Sequence, residues 1–133
     1  MKTVRDCEIR DEFAICTPEE SVVEVAKFLV EKGVSSSIVV KENKPVGIVS
    51  VFDMVRRVIA EGRDPKQTRI EEIMTTPIIY VNLDDDLIKV SRMMASKGLV
   101  SVPVVDSNEE LVGILTINDI ARVMSEENVH GER

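Results

Sequence analysis

The sequence contains no tryptophan, three phenylalanines and one tyrosine, so aromatic residues make up only 3% of its 133 positions. Phe13, Phe28, Phe52 and Tyr80 are too few and too scattered to form the stacking platforms that single-strand nucleic acid binders use. The two cysteines, Cys7 and Cys16, lie nine positions apart with no CxxC pair, and His130 is the single histidine. A structural zinc site needs about four such ligands, so no metal centre is expected. No stretch approaches the roughly 18 apolar residues of a membrane-spanning helix. The start, Met1-Lys2-Thr3-Val4-Arg5-Asp6, is charged where a secretory signal would be apolar. A reducing, cytoplasmic setting without a membrane partner is the expectation.

Positive charge is also in short supply: 17 Lys and Arg face 24 Asp and Glu, giving −7 and a pI near 4.8. General attraction to nucleic acid or anionic lipid is thereby excluded. The acidity is uneven, since residues 1–66 carry eleven bases against twelve acids and the remainder six against twelve, so a ligand phosphate is repelled less by the first half. A 44% apolar fraction beside 31% charged residues describes a chain that folds, and 133 residues suffice for one compact unit with a real core. Enzyme signatures are missing. There is no Gly-x-x-x-x-Gly-Lys-Ser/Thr loop, no Gly-x-Ser-x-Gly, and no nucleophile patterned beside His130, so catalysis is not expected.

What the chain does have is an internal repeat. Gly33-Val34-Ser35-Ser36-Ser37-Ile38-Val39-Val40 is matched 65 positions later by Gly98-Leu99-Val100-Ser101-Val102-Pro103-Val104-Val105. Gly47-Ile48-Val49-Ser50-Val51-Phe52-Asp53-Met54 is matched 66 positions later by Gly113-Ile114-Leu115-Thr116-Ile117-Asn118-Asp119-Ile120. Each copy reads as strand, amphipathic helix, two strands and a second helix. In the first, a strand is expected over 13–16 and a helix from a Ser21-x-x-Glu24 box to Glu31, ended by Gly33. Val22, Val25, Ala26, Leu29 and Val30 form its apolar stripe. Strands follow over 37–41 and 46–50 around a Glu42-Asn43-Lys44-Pro45 turn, then a helix over 51–61. The second copy predicts strands over 78–81, 102–105 and 111–115 and helices over 86–97 and 117–124. A polar connection, Gly62 to Gln67, leads into a short helix capped by Thr68 with Glu71 three residues on. The first repeat is thus assigned to residues 1–66, the second to 67–124, and a polar tail to 125–133. One copy alone buries little apolar surface, so the two are expected to pack sheet to sheet around a shared core, with a ligand cleft on their pseudo-twofold seam.

The ordered set Ile73-Met74-Thr75-Thr76-Pro77, Ser101-Val102-Pro103-Val104-Val105-Asp106 and Leu111-Val112-Gly113-Ile114-Leu115-Thr116-Ile117-Asn118-Asp119, echoed more weakly in the first copy, resembles a CBS domain. The tandem resembles a CBS pair, or Bateman module, over about residues 4–124. The resemblance implies an α/β (α+β) fold of two β-α-β-β-α repeats packed as an intramolecular pseudo-twofold pair, a disc-like homodimer of such pairs, and grooves for adenosine-containing ligands. It also implies that the Ser/Thr-x-x-Asp after the third strand contacts ribose and that the Val-Pro-Val strand region holds adenine.

The residues support a parallel physical reading. Ser50-x-x-Asp53 and Thr116-x-x-Asp119 each put a carboxylate at a helix mouth, where two acceptor oxygens suit a vicinal diol and the helix start suits a phosphate. The same spacing also describes a plain capping box. Val100, Ser101, Val102 and Pro103 read either as a strand entering the core with proline at its first position or as an aliphatic edge for a flat adenine. Ser36, Ser37 and Ile38 are the first-copy equivalents. Thr116 and Asp119 are expected beside Ile78, Ser101, Val102 and Pro103, whereas Ser50 and Asp53 lack both nearby prolines, having Glu8-Ile9-Arg10-Asp11 where the second copy has Met74-Thr75-Thr76-Pro77. The second-copy site, and Asp119 above all, is therefore expected to dominate. Arg56 and Arg57 follow Asp53 closely enough to meet a phosphate, or else form a solvated helix face. Asp84, Asp85 and Asp86 suggest either a cation site or a helix start, and the helix start is preferred.

These features together predict a regulatory module that binds an adenine nucleotide, AMP, ADP or ATP, as a regulatory ligand with no cofactor required, and that acts on a separate protein partner. The alternatives are a structural dimerisation or interaction module and an S-adenosylmethionine or NAD sensor. Apolar Met54, Val55, Val58, Ile59, Met93 and Met94 on the helices suggest a homodimer contact.

Overall fold

A computed structural model describes residues 1–131, with side chains as far as residue 126. The chain divides into two compact units. One is Phe13–Ile78, and the other combines Met1–Glu12 with the chain from Ile79 onward.

In the first unit β1 (Ile15–Cys16) leads to α1 (Val22–Lys32), the antiparallel pair β2 (Ser36–Lys41) and β3 (Lys44–Ser50), and α2 (Val51–Met54). Ser21 starts α1 by accepting a 3.2 Å bond from the Glu24 amide, and Gly33 ends it at φ 72°, a left-handed conformation that glycine adopts without penalty. Val22, Val25 and Leu29 are buried and Ala26 partly so, but Val30 points to solvent, because the stripe is narrower than its apolar letters suggest. The β2–β3 hairpin is tighter than expected. Glu42 and Asn43 both take positive φ, 53° and 66°, the twist of a two-residue turn, so the strand resumes at Lys44. The helix after β3 is α-helical only to Met54 and continues to Ile59 as a wider π turn in which the Ala60 amide donates to the Val55 carbonyl.

The second unit repeats this plan with β4 (Val81–Asn82), α3 (Leu87–Lys97), β5 (Ser101–Val105), β6 (Leu111–Thr116) and α4 (Ile117–Gly131). Both sheets have three strands, the first strand parallel to a central strand that is antiparallel to the third. Each carries a register shift at the same repeat position, beside Val40 in one and Val105 in the other. The expected polar tail is helical from Ser125 to Gly131; the rest of the tail and the His130 side chain lie outside the described residues.

Pro103 is the third residue of the central strand β5, not its first. It is tolerated because it opposes Ile114, whose amide and carbonyl both bond to Arg10 on the far side of β6, so no ladder bond to β6 is required of it. In the first unit the equivalent Ile38 amide donates to the Ala14 carbonyl. Pro103 has no such donor, and β4 accordingly pairs only from Val81 on.

Each unit encloses its own apolar cluster. One is built on Val25, Leu29, Val39, Val49 and Val58, and the other on Val90, Met94, Val102, Val104 and Leu115. Met54, Val58 and Met94, expected on a dimer contact, are buried in these cores; Val51, Phe52, Val55 and Ile59 are the exposed apolar residues of that helix.

The division between units departs from chain order. Ile70 and Ile73 of the connection are fully buried in the first unit, and Val4 and Cys7 of the N-terminus in the second. The connection is a short 3-10 turn, Ile70–Glu72, capped by Arg69 and Glu72, one residue later than Thr68 and Glu71; Thr68 instead donates to the Asp64 carbonyl. Residues beyond it run along the outer edge of β3, where Thr75 and Ile48 exchange backbone bonds of 2.8 and 3.2 Å. Arg10 and Ile114 do the same at the edge of β6, at 2.9 Å each way. The Met74-Thr75-Thr76-Pro77 segment thus serves the first repeat, and Glu8-Ile9-Arg10-Asp11 the second.

A Cβ on Gly113 would lie 2.5 Å from Ile9 Cγ2 and 2.6 Å from the Arg10 carbonyl oxygen, whereas one on Gly47 would meet mainly the flexible Met74 thioether at 2.6 Å. Gly113→Ala should therefore cost about 1–3 kcal/mol in urea unfolding and Gly47→Ala less, since a methionine end yields and a paired backbone does not. An equal or larger loss in Gly47→Ala would contradict these edge contacts.

Candidate functional site

The two sheets bring equivalent residues together at equivalent places. Along β2, Ser37 and Val39 face the core, so Ser36 and Ile38 share the opposite face with their cross-strand partners Ser50 and Ile48. Along β5, Val102 and Val104 face the core, and Ser101 and Pro103 share the other face with Thr116 and Ile114. Ser37 and Val102 are therefore core residues and leave the candidate list; on the other face Ile38 and Pro103 are also buried, and Ser36, Ile48, Ser101 and Ile114 are half-buried. Val100 precedes β5, is exposed, and uses its carbonyl to accept from the Ile117 amide. Ile78 is the last residue of the unit holding the first repeat, not of the unit holding Thr116 and Asp119.

Each patch ends in a reciprocal capping box. Asp53 Oδ2 accepts from the Ser50 amide at 2.9 Å and its hydroxyl at 3.1 Å, while the Asp53 amide donates back to Ser50 Oγ at 3.1 Å. Asp119 Oδ2 accepts from the Thr116 amide at 3.2 Å and hydroxyl at 2.7 Å, with the Asp119 amide donating to Thr116 Oγ1 at 3.2 Å. The capping reading is thus true of both copies, and it fixes each carboxylate at a strand end beside an aliphatic face.

The copies differ in what meets the remaining carboxylate oxygen. Asp119 is bound bidentately by Arg10, Nε to Oδ2 at 3.1 Å and Nη2 to Oδ1 at 3.0 Å, and Arg122 Nη1 approaches Oδ1 at 3.5 Å. Its side chain is 0% exposed, against 45% for Arg10. Asp53 Oδ1 has Arg56 Nη2 at 3.2 Å and, where Arg10 would stand by repeat equivalence, only the Thr75 hydroxyl at 3.5 Å. Arg10 was not among the residues singled out from sequence. Its place was legible only in the 65-residue spacing from Arg10 to Thr75, once the exchange of edge segments is known.

Arg56 also stacks over Phe52, 5.1 Å from the ring centre, with its side chain about half exposed. Arg57 is not a second phosphate donor. Its Nη1 holds the carbonyls of Ile73 and Met74 at 2.9 and 3.2 Å, which ties the connection to the first unit. The three aspartates before α3 each make a structural contact: Asp86 Oδ2 accepts from the Lys89 amide, although its Oδ1 is buried without a partner among the described residues, Asp85 accepts from the Asn82 amide, and Asp84 pairs with Arg5.

Residues 4–60 and 70–126 each match the CBS domain. The chain belongs to the CBS domain family. An uncharacterized protein of Methanopyrus kandleri is 35% identical over 108 residues, covering 80% of this chain and 55% of its own length. The chain spans about half the length of curated relatives of this kind, 42% in the case of one from Methanocaldococcus jannaschii. Among solved structures, CBSX2 in complex with AMP superposes with a TM-score of 0.75 at 26% identity, covering 96% of this chain and 99% of its own. A CBS domain pair in complex with 5′-methylthioadenosine and S-adenosyl-L-methionine gives 0.74 at 29% identity, covering 95% and 98%. The mixed α/β architecture of two repeats is that of the CBS pair. Among the described residues no helix is long and apolar enough to cross a membrane.

Burial opposes the charge on Asp119, but the hydrogen bonds from Thr116 and Arg10 outweigh it and hold the carboxyl below its ordinary range. A carboxylate lowered on folding adds stability that is full above its unfolded value, about 3.9, and is lost as pH falls through the lower folded value. The melting advantage of the native chain over Asp119→Asn should therefore be constant above about pH 5 and shrink progressively below pH 4. Parallel melting curves across pH 2–6, with an undiminished gap at the acid end, would contradict this assignment.

Proposed function

We propose that this CBS pair is a regulatory module that binds an adenosine-containing ligand and acts on a separate protein partner, with AMP, ADP or ATP preferred. The observation that carries this reading is the duplicated hydroxyl and carboxylate box at the end of an aliphatic sheet face. Asp53 or Asp119 would accept the ribose hydroxyls, and the half-buried Ser36 and Ile48, or Ser101 and Ile114, would lie against adenine, beside the buried Ile38 and Pro103. AMP in one similar structure and methylthioadenosine and S-adenosylmethionine in another support the adenosyl class. Arg56, exposed on Phe52 and paired with Asp53, is the phosphate donor of the first repeat in this reading. In this reading the first repeat's site ranks ahead of the second's, opposite to the order expected from sequence. Asp53, whose second oxygen meets one arginine and a distant hydroxyl, accepts a diol at lower cost than Asp119.

The reading is tested by thermal shift against AMP, ADP, ATP, NAD and S-adenosylmethionine. A ligand at 100 times its Kd adds about 2.7 kcal/mol, roughly 5 to 12 °C in midpoint for a chain of this size. No shift with any of them at millimolar concentration would leave the second reading, an interaction module without nucleotide sensing, which the saturated Asp119 carboxylate favours.

We also propose a twofold homodimer through exposed Val51, Phe52, Val55 and Ile59, since apolar side chains this large on one short helix are covered well by an isologous contact. Light scattering should give about 30 kDa, twice the 14.8 kDa of one chain, and Phe52→Asp should lower it. A native mass of one chain at tens of micromolar protein would refute the dimer.

A further inference from the structure

In the second repeat a cation already occupies the carboxylate that a ribose would need. Five donor contacts reach Asp119: the Thr116 amide and hydroxyl, Arg10 Nε and Nη2, and Arg122 Nη1. The Thr116 pair holds the cap and Arg122 is distant, so the Arg10 fork is what a diol must displace. The Arg10 backbone is fixed by its two bonds to Ile114, but its side chain is nearly half exposed and can leave without disturbing the edge. A guanidinium released in this way lies within a side-chain length of the site. It recovers its lost partner only if the ligand brings an anion. Glu8 nearby is itself engaged by Arg122 at 3.3 Å. The first repeat has no fork at its edge, because Thr75 stands at the equivalent position and carries no charge; its one cation on the carboxylate, Arg56, comes from the helix and is the counterpart of Arg122.

We infer that Arg10 is a specificity-determining residue that makes the second repeat's site select anionic adenosyl ligands over neutral ones. The inference rests on the adenosyl reading above. A ligand with both a ribose diol and a phosphate exchanges one ion pair for two interactions, diol to Asp119 and phosphate to Arg10. A neutral nucleoside breaks the pair and returns nothing to the arginine. The first repeat, with Thr75 at the edge and a single Arg56 contact where the second has a fork, discriminates less.

The test is calorimetric titration of AMP and adenosine into the full chain carrying Asp53→Asn, which keeps an acceptor for the Ser50 cap while weakening the first site. In this background AMP should bind at least about tenfold tighter than adenosine. Adding Arg10→Met should tighten adenosine and weaken AMP, bringing the ratio of dissociation constants close to one, and Arg10→Lys should fall between. Melting curves without ligand report folding, and Arg10→Lys supplies the ratio if Arg10→Met is poorly folded. An unchanged ratio in both variants, or an equal loss of both ligands, would overturn this inference alone, because a merely structural arginine has no reason to distinguish the two ligands. Binding to the native chain that vanishes completely with Asp53→Asn would also overturn it, since the second repeat would then hold no site. Failure of every chain, native included, to bind either ligand would overturn the adenosyl reading together with it.

Discussion

A three-stranded sheet leaves one long edge of unpaired amides and carbonyls on its third strand, and in each repeat a neighbouring stretch of chain has to satisfy it. Thr75 does this for β3 and Arg10 for β6. Much else follows from which segment meets which edge. The N-terminal residues 1–12 join the second repeat and bury Val4 and Cys7 there, and the connection brings Ile70 and Ile73 into the first. Gly47 and Gly113 are needed because the edge segments pass so close to them. The side chain presented to the carboxylate is then fixed as well, a threonine in one repeat and an arginine in the other.

Burial of Asp53 and Asp119 imposes the second constraint. A carboxylate with 7% or 0% of its side chain exposed has to be hydrogen-bonded, and the capping box supplies part of what is needed without any ligand. Capping and ligand binding therefore draw on the same group and do not compete as explanations. The box holds one oxygen and orients the other. In the first repeat the second oxygen faces one arginine and a distant threonine hydroxyl, and in the second it is closed by a fork, so two sequence-similar motifs become chemically unequal.

The repeat, the helix starts and ends and both boxes were legible because each is a local pattern with a local cause: Ser21 and Gly33 bounding α1, or Ser50 and Asp53 three residues apart. The partition of edge segments was not legible. A spacing of 65 residues states that Arg10 and Thr75 are equivalent but is silent on which sheet each of them joins, and that choice is made by tertiary packing of Ile70, Ile73, Val4 and Cys7. For this reason Thr76 and Pro77, which lie with the first repeat, give no ground for ranking the second repeat's motif higher. Pro103 misled in a related way, since a proline is excluded from a central strand only where a ladder donor is needed: Ile114 bonds to Arg10 and asks nothing of it on the β6 side, and β4 begins its pairing one residue later, at Val81. By contrast, the loss of Ser37 and Val102 from the candidate site follows from the two-residue period of a strand, which the core positions Val39 and Val104 already set.

The chain is a CBS pair whose repeats share an architecture and differ in the polar groups around one carboxylate each. The central claim of the account is that these carboxylates receive a ribose diol. Its most direct test is the affinity of the native chain for AMP against 2′,3′-dideoxy-AMP, which keeps the base and the phosphate and lacks only the hydroxyls. Two hydrogen bonds to charged acceptors predict a loss on the order of 10 to 150 fold. Equal affinity for the two nucleotides would contradict it.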